Sequence, residues 1–223
     1  MTTRYAPLIK ALRLERSLSQ AEVAQKLGLS RQSYMAVERG SRPLTLEEAE
    51  ALCRLFGITM DALETGQAPD YEKYRQMILA FLRLNKHLTK TKLAKLLYLA
   101  DFSWYYTNFA SMSGMPYRKI QYGPVADAYF GLIEQMTDNG EIAIELKDEA
   151  MLISETRAGA RTNLSRVSTK EQKMIKEIDA KWKGKKTADI VGFTHKQLPY
   201  LLAEENGIVS YDVFTQEDPG DIY

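Results

Sequence analysis

The sequence predicts a mainly α protein of two domains. A five-helix bundle occupies residues 1–66, and a mostly helical α+β domain with a small antiparallel sheet occupies 70–223. Three observations predict this. Apolar residues recur at helical spacing through most of the chain, and caps and glycines divide its N-terminal part into short helices. The polar stretch Glu64-Thr65-Gly66-Gln67-Ala68-Pro69-Asp70 carries Gly and Pro that break both neighbouring helices. Beyond it, two apolar runs flank a charged turn, a hairpin inside an otherwise helical pattern. The 223 residues are 45% apolar and 26% charged, with 30 Lys and Arg against 29 Asp and Glu. That balance suits domains able to bury a core and excludes wholesale disorder.

The first helix is expected from Pro7 to Arg16, with Leu8, Ala11, Leu12 and Glu15 on one face and Pro7 in the first turn, where no amide is lost. Ser19-Gln20-Ala21-Glu22 spells a capping box for the second helix, which turns Val23, Ala24 and Leu27 inward and ends at Gly28. Ser30 caps a third helix running from Arg31 to about Arg39. Its Tyr34 and Val37 face the core, leaving Arg31, Gln32, Ser33 and Ala36 outward. A fourth helix, Leu46 to Phe56, buries Ala49, Leu52, Cys53 and Phe56, and Met60 to Leu63 forms a last short turn.

Two helices joined by a glycine turn, the second with a polar outer face, make a helix-turn-helix. The stretch from Leu18 to Ser33, followed by Val37-Glu38-Arg39-Gly40, resembles the Cro/cI-like (XRE) repressor family across about residues 6–64. Glutamine can bond adenine N6 and N7, and arginine guanine O6 and N7, while arginines and helix N-termini hold phosphates. By that resemblance Gln20 approaches a phosphate and an adjoining base. Arg31, Gln32 and Ser33 face the bases, Arg39 and Arg42 brace the backbone, and Ser30 at the helix start joins the DNA-binding set. Ala36 stands where some relatives carry a polar residue, so base readout is expected to be narrower. Charge agrees with this assignment. Arg4, Lys10, Arg13, Arg16, Lys26, Arg31, Arg39 and Arg42 outnumber Glu15, Glu22 and Glu38 before Thr45.

In the second domain the period predicts a helix from Tyr71 to Asn85. A second begins near Thr89, with Leu93, Leu96, Leu97, Ala100 and Trp104 on one wide face. Tyr117 to Tyr122 alternates like a strand, Gly123-Pro124 breaks the chain, and a third helix is expected from Val125 to Met136. Ile142 to Leu146 and Met151 to Ser154 form the hairpin, and helices follow at Lys170–Trp182 and within 187–205. Leu93 to Asp101, Tyr122-Gly123-Pro124-Val125, His195 with Leu198-Pro199, and Ile208-Val209-Ser210-Tyr211 together resemble the Panacea domain of SocA-like antitoxins, over roughly 72–214. The resemblance implies a domain that neutralises a cognate protein toxin. The chain carries thirteen tyrosines, all but Tyr5 and Tyr34 in this domain, and tyrosine gives large contact area at low entropic cost. Tyr105, Tyr106, Tyr117, Tyr122 and Tyr129 are therefore the expected toxin-binding anchors. The basic 157–186 segment is a second candidate surface, suited to an acidic partner.

The expected function is that of a type II antitoxin that autorepresses its operon as a homodimer on operator DNA. The same residues leave open a regulator with a ligand-sensing or oligomerising C-terminal domain, or a protease adaptor. Catalysis is not expected: phosphate-loop, dinucleotide, zinc-protease and nucleophile-elbow motifs are all missing from the sequence. One cysteine and two distant histidines, His87 and His195, predict no disulfide framework, metal centre or cofactor. No apolar run reaches the ~18–20 residues of a spanning helix. The start carries no apolar leader, so the cytoplasm is the expected compartment.

Overall fold

The computed structural model describes residues 4–66, 68–148 and 150–223, with only the backbone of Asp61 and Thr65. Met1-Thr2-Thr3, Gln67 of the linker and Glu149 of the hairpin turn lie outside the described residues. The chain divides into two compact units, Met1–Pro69 and Asp70–Tyr223.

The first unit is α1 (Tyr5–Glu15), α2 (Gln20–Lys26), α3 (Arg31–Glu38), α4 (Leu46–Phe56) and α5 (Met60–Thr65). Hydroxyl caps start four of them. Ser19, Ser30, Thr45 and Thr59 accept the amides of Glu22, Ser33, Glu48 and Ala62, and Glu22 and Glu48 complete capping boxes. Gly28 closes the α2–α3 turn at φ +66°, a conformation that side chains disfavour. Ile9, Val23, Tyr34, Val37 and Leu52 are wholly buried. The buried face of α1 is Ala6, Leu8, Ile9, Leu12 and Arg13, while Ala11 and Glu15 are exposed. The expected stripe was rotated because it passed over Ile9, which sits at the centre of the core. Cys53 is buried, and burial pushes its thiol up to about 11, as befits a packing residue.

The second unit opens with α6 (Tyr71–Leu84), β1 (Leu88–Thr89) and α7 (Lys90–Asn108), followed by β2 (Tyr117–Arg118), β3 (Val125–Ala126) and α8 (Tyr129–Asp138). The hairpin β4 (Ile142–Lys147) and β5 (Ala150–Glu155) comes next. The chain finishes with α9 (Thr169–Trp182), α10 (Thr187–Thr194), α11 (Leu198–Leu202), β6 (Ile208–Val209) and α12 (Tyr211–Phe214). There are two small antiparallel sheets, in the orders β1-β5-β4 and β3-β2-β6. The expected helix from Val125 begins only at Tyr129, because Val125 and Ala126 pair with Arg118 and Tyr117 as a strand. The expected strand to Tyr122 stops at Arg118, and the chain turns where the Gly123 amide bonds the Ile120 carbonyl.

Helix α7 is the centre of this unit. Every residue from Leu93 to Ser103 is buried, more than the one wide face its period suggested, because α6, α9, α10, α12 and strands of both sheets pack around it. Its Asp101 is fully buried and accepts three bonds: the Ser113 amide at 2.6 Å, the Ser113 hydroxyl at 2.5 Å and the Tyr117 hydroxyl at 2.7 Å. Burial pushes this carboxyl up to about 6 despite those donors. Asp101→Ala leaves the donors without an acceptor inside the core. It is expected to destabilise the unit by about 2 kcal/mol or more, read as a lower melting temperature. An unchanged melt would contradict this account.

Candidate functional site

In the first unit the helix-turn-helix is locked by an ion pair. The Arg13 guanidinium donates Nε and Nη2 to the two oxygens of Glu38, both at 2.8 Å, with the side chains 10% and 4% exposed. Its Nη1 donates to the Leu18 carbonyl at 2.9 Å, so one side chain joins α1, the approach to α2 and the end of α3. The Arg13 guanidinium holds the Glu38 carboxyl below its ordinary value.

Around this strut, Arg31 and Gln32 are exposed in the first turn of α3. Ser30 and Ser33 are tied to each other, hydroxyl to hydroxyl at 2.9 Å, while Ser30 caps the helix. Gln20 opens α2 with its amide 3.4 Å from Glu38. Arg39 is exposed after α3. Arg42 is engaged, giving two bonds to Glu48 at 2.9 and 2.7 Å. Arg16 is engaged too, on the Leu55 and Phe56 carbonyls at the end of α4. The surplus of positive charge before Thr45 therefore divides into internal braces and a smaller outward set.

In the second unit, residues distant in sequence converge beside α7. Lys95 is 0% exposed and donates Nζ to the Pro124 carbonyl at 2.8 Å. Burial pushes its ammonium down to about 7. Gly123, at φ +93°, lies against it. A Cβ there would stand 2.9 Å from Lys95 Cε and 3.1 Å from the His195 ring, so only glycine fits. His195 stacks on Tyr200 at 4.4 Å, and burial together with Lys95 and Lys119 holds it below its ordinary value. Lys95 also forms part of the wall of a hollow of about 430 Å³, with Ile120, Tyr122, Val125 and Phe130 among its neighbours there.

Residues 9–63 match the helix-turn-helix family, and residues 93–199 match the antitoxin SocA-like, Panacea domain. The chain joins a helix-turn-helix to a Panacea domain. The cryptic phage CTXphi transcriptional repressor RstR of Vibrio cholerae is 36% identical over 59 residues, 26% of this chain and 53% of that protein. The chain thus spans about half the length of the curated relative it matches. No solved structure matches. Together these likenesses support a DNA-binding antitoxin or regulator. No helix among the described residues is long and apolar enough to cross a membrane.

The Panacea residues Lys95, Gly123, Pro124 and His195 meet at one place, which periodicity alone did not reveal. The five tyrosines do not meet on one surface. Tyr117 is wholly buried against Asp101, and Tyr129 is 1% exposed with its hydroxyl on the Lys90 carbonyl at 2.6 Å. Tyr105 is buried and bonds Asp212. These three cannot serve as exposed anchors: Tyr105 and Tyr117 belong to an aromatic core with Tyr98, Phe102, Tyr211 and Phe214, and Tyr129 is held inward by its burial and its bond to Lys90. Tyr106 is half-buried, and Tyr122 is 60% exposed at the hollow. Sequence reading also missed Arg13 and Glu38. The available signal was a cation directly after Leu12 in an apolar stripe.

Two expectations follow. Glu38→Ala strands the Arg13 charge and should cost about 3 kcal/mol of helix-turn-helix stability at pH 7. Because the Glu38 pKa is lowered on folding, the pair's contribution is full above about pH 4.5 and fades as pH falls through the lower folded value. Denaturant melts at several pH values check both. For Lys95 the sign is opposite. With a folded pKa of about 7 against 10.5 unfolded, the unfolded chain holds the proton better, so this group's contribution to stability rises from pH 7 upward. Lys95→Met should flatten the change in Panacea-unit stability between pH 7 and 9; an identical slope would contradict the assignment.

Proposed function

We propose that this chain is an antitoxin and autorepressor. The helix-turn-helix binds a palindromic operator as a homodimer, and the Panacea unit silences a cognate protein toxin by stoichiometric binding. The observation that carries the reading is the presence in one chain of a helix-turn-helix and a SocA-like antitoxin domain. A single recognition helix covers one half-site, so two copies are needed for a palindrome.

On the DNA side, Arg31 and Gln32 read bases from the first turn of α3, with Ser33 beside them. Gln20 and Ser30 position the two helices on the backbone, and Arg39 contacts phosphate. Arg42 acts through its pair with Glu48, which fixes the chain entering α4, more than as a free cation. On the toxin side, the work falls to exposed groups of the Panacea unit, Tyr122 and Tyr106 among the tyrosines first singled out.

Two measurements test this. Arg31→Ala or Gln32→Ala should each weaken operator binding by about 1–3 kcal/mol and relax base preference. Arg39→Ala should weaken all sequences alike and reduce the salt slope by about 1. Sequence-blind binding by the unaltered chain would overturn the repressor half. Where an adjacent gene encodes a small protein that arrests growth, co-expression of this chain with it should restore growth and yield a complex on purification. Growth that stays arrested without co-elution would overturn the antitoxin half and favour a regulator of another kind.

A further inference from the structure

Several exposed apolar residues of the Panacea unit cluster together, while Tyr71, Phe109, Leu201 and Leu202 lie elsewhere. Tyr122, Phe130, Met151 and Ile144, all more than a third exposed, line two adjoining hollows of about 430 and 380 Å³ that share Lys90, Phe130 and Met151. Leu146, 69% exposed, continues the patch, since it pairs with Met151 across the hairpin. The strand that carries Ile144 and Leu146, β4, pairs on one side only, with β5. Clustered exposed apolar surface of this kind marks a contact site, whereas single exposed leucines do not.

Charge narrows the occupant. The larger hollow has two charged groups among its described lining residues, Lys90 and Lys95, and both are cationic. Lys90 holds its ammonium 4.9 Å over the Phe130 ring, at the mouth, and makes no ion pair among the described residues. Lys95 lies deeper, its ammonium on the Pro124 carbonyl. Glu134 and Asp138 line only the smaller hollow, at the far side of Lys90. An apolar cleft with a lysine ammonium at its mouth and no acidic side chain among its described lining residues accepts a bulky apolar side chain with a carboxylate next to it.

We propose that this cleft, walled by Tyr122, Phe130 and Met151 and guarded by Lys90, is where the toxin docks, through a segment presenting an aromatic or large aliphatic side chain beside an acidic one. This rests on the antitoxin reading above and assigns the surface that performs it. The apolar side chain fills the larger hollow, and the acidic one pairs with Lys90, whose position over Phe130 is already fixed by the ring.

The test uses the full chain and the small protein encoded beside it, with affinity measured by titration calorimetry and folding by thermal melting. Phe130→Glu and Lys90→Glu should each weaken binding at least tenfold with melting temperatures near that of the unaltered chain, and Lys90→Arg should bind normally. Leu201→Glu, on an exposed α11 residue outside the cleft, should also bind normally. Should Phe130→Glu fold poorly, Tyr122→Ser with Met151→Ser reads the same wall without a new charge. If the unaltered chain binds but the Phe130 and Lys90 variants bind equally well, the docking site is overturned while the antitoxin reading stands. If the variants instead abolish self-association and leave toxin binding intact, the occupant is a second copy of this chain and the proposal fails. If the unaltered chain does not bind, the antitoxin reading itself has failed, and this inference falls with it.

Discussion

Helix α7 is buried from Leu93 to Ser103, and the charged side chains of that stretch, Lys95 and Asp101, find their partners within the Panacea unit. That constraint shapes the loops around it. Asp101 takes its bonds from Ser113 and Tyr117, which pins the loop after the helix and sets where β2 begins. Lys95 takes its acceptor from Pro124, which draws the Gly123-Pro124 turn onto the helix and starts β3. The glycine is required there because Lys95 and His195 leave no room for a side chain. Lys95 also lines the hollow, so one of the polar groups that fix the fold forms part of the cleft wall. Burial of charge is costly without such partners, and here the partners are backbone and hydroxyl groups rather than opposite charges.

The helix-turn-helix solves a related problem in the other way. Its one deeply buried cation is matched by a carboxylate with two parallel bonds, a geometry that fixes direction as well as distance. Arg13 lies on α1 and Glu38 at the end of α3, and the third bond to Leu18 reaches the chain just before α2. The angle between α2 and α3 is therefore held from behind. Arg31 and Gln32, exposed in the first turn of α3, are free to serve a ligand, because neither packs into the bundle.

How much was legible in the sequence follows from the range of the interactions involved. Caps and glycine stops act within four residues, and Ser19, Ser30 and Gly28 mark helix ends that the structure places at the same points. The hairpin is legible because short apolar runs and a charged turn are likewise local. Val125 and Ala126 were misread as helix because their strand partners, Arg118 and Tyr117, are set by tertiary pairing. The tyrosines show the same limit. Residue type gives an amphipathic ring, but only packing decides that Tyr117 and Tyr129 point inward and Tyr122 outward. Resemblance picks out the motifs that hold Lys95, Gly123 and His195, but not that they meet, since nothing in the period of α7 marks Lys95 as buried.

The account's central claim is that one chain holds two separable binding functions, one in each unit. The most direct measurement places the doubly substituted full chain, Arg31→Ala with Gln32→Ala, beside the unaltered chain in cells that carry the neighbouring small protein and a reporter under the operon's own promoter. The account predicts that the substituted chain loses repression of the reporter while still rescuing growth fully. Loss of rescue together with repression, at equal protein levels and equal melting temperature, would contradict it.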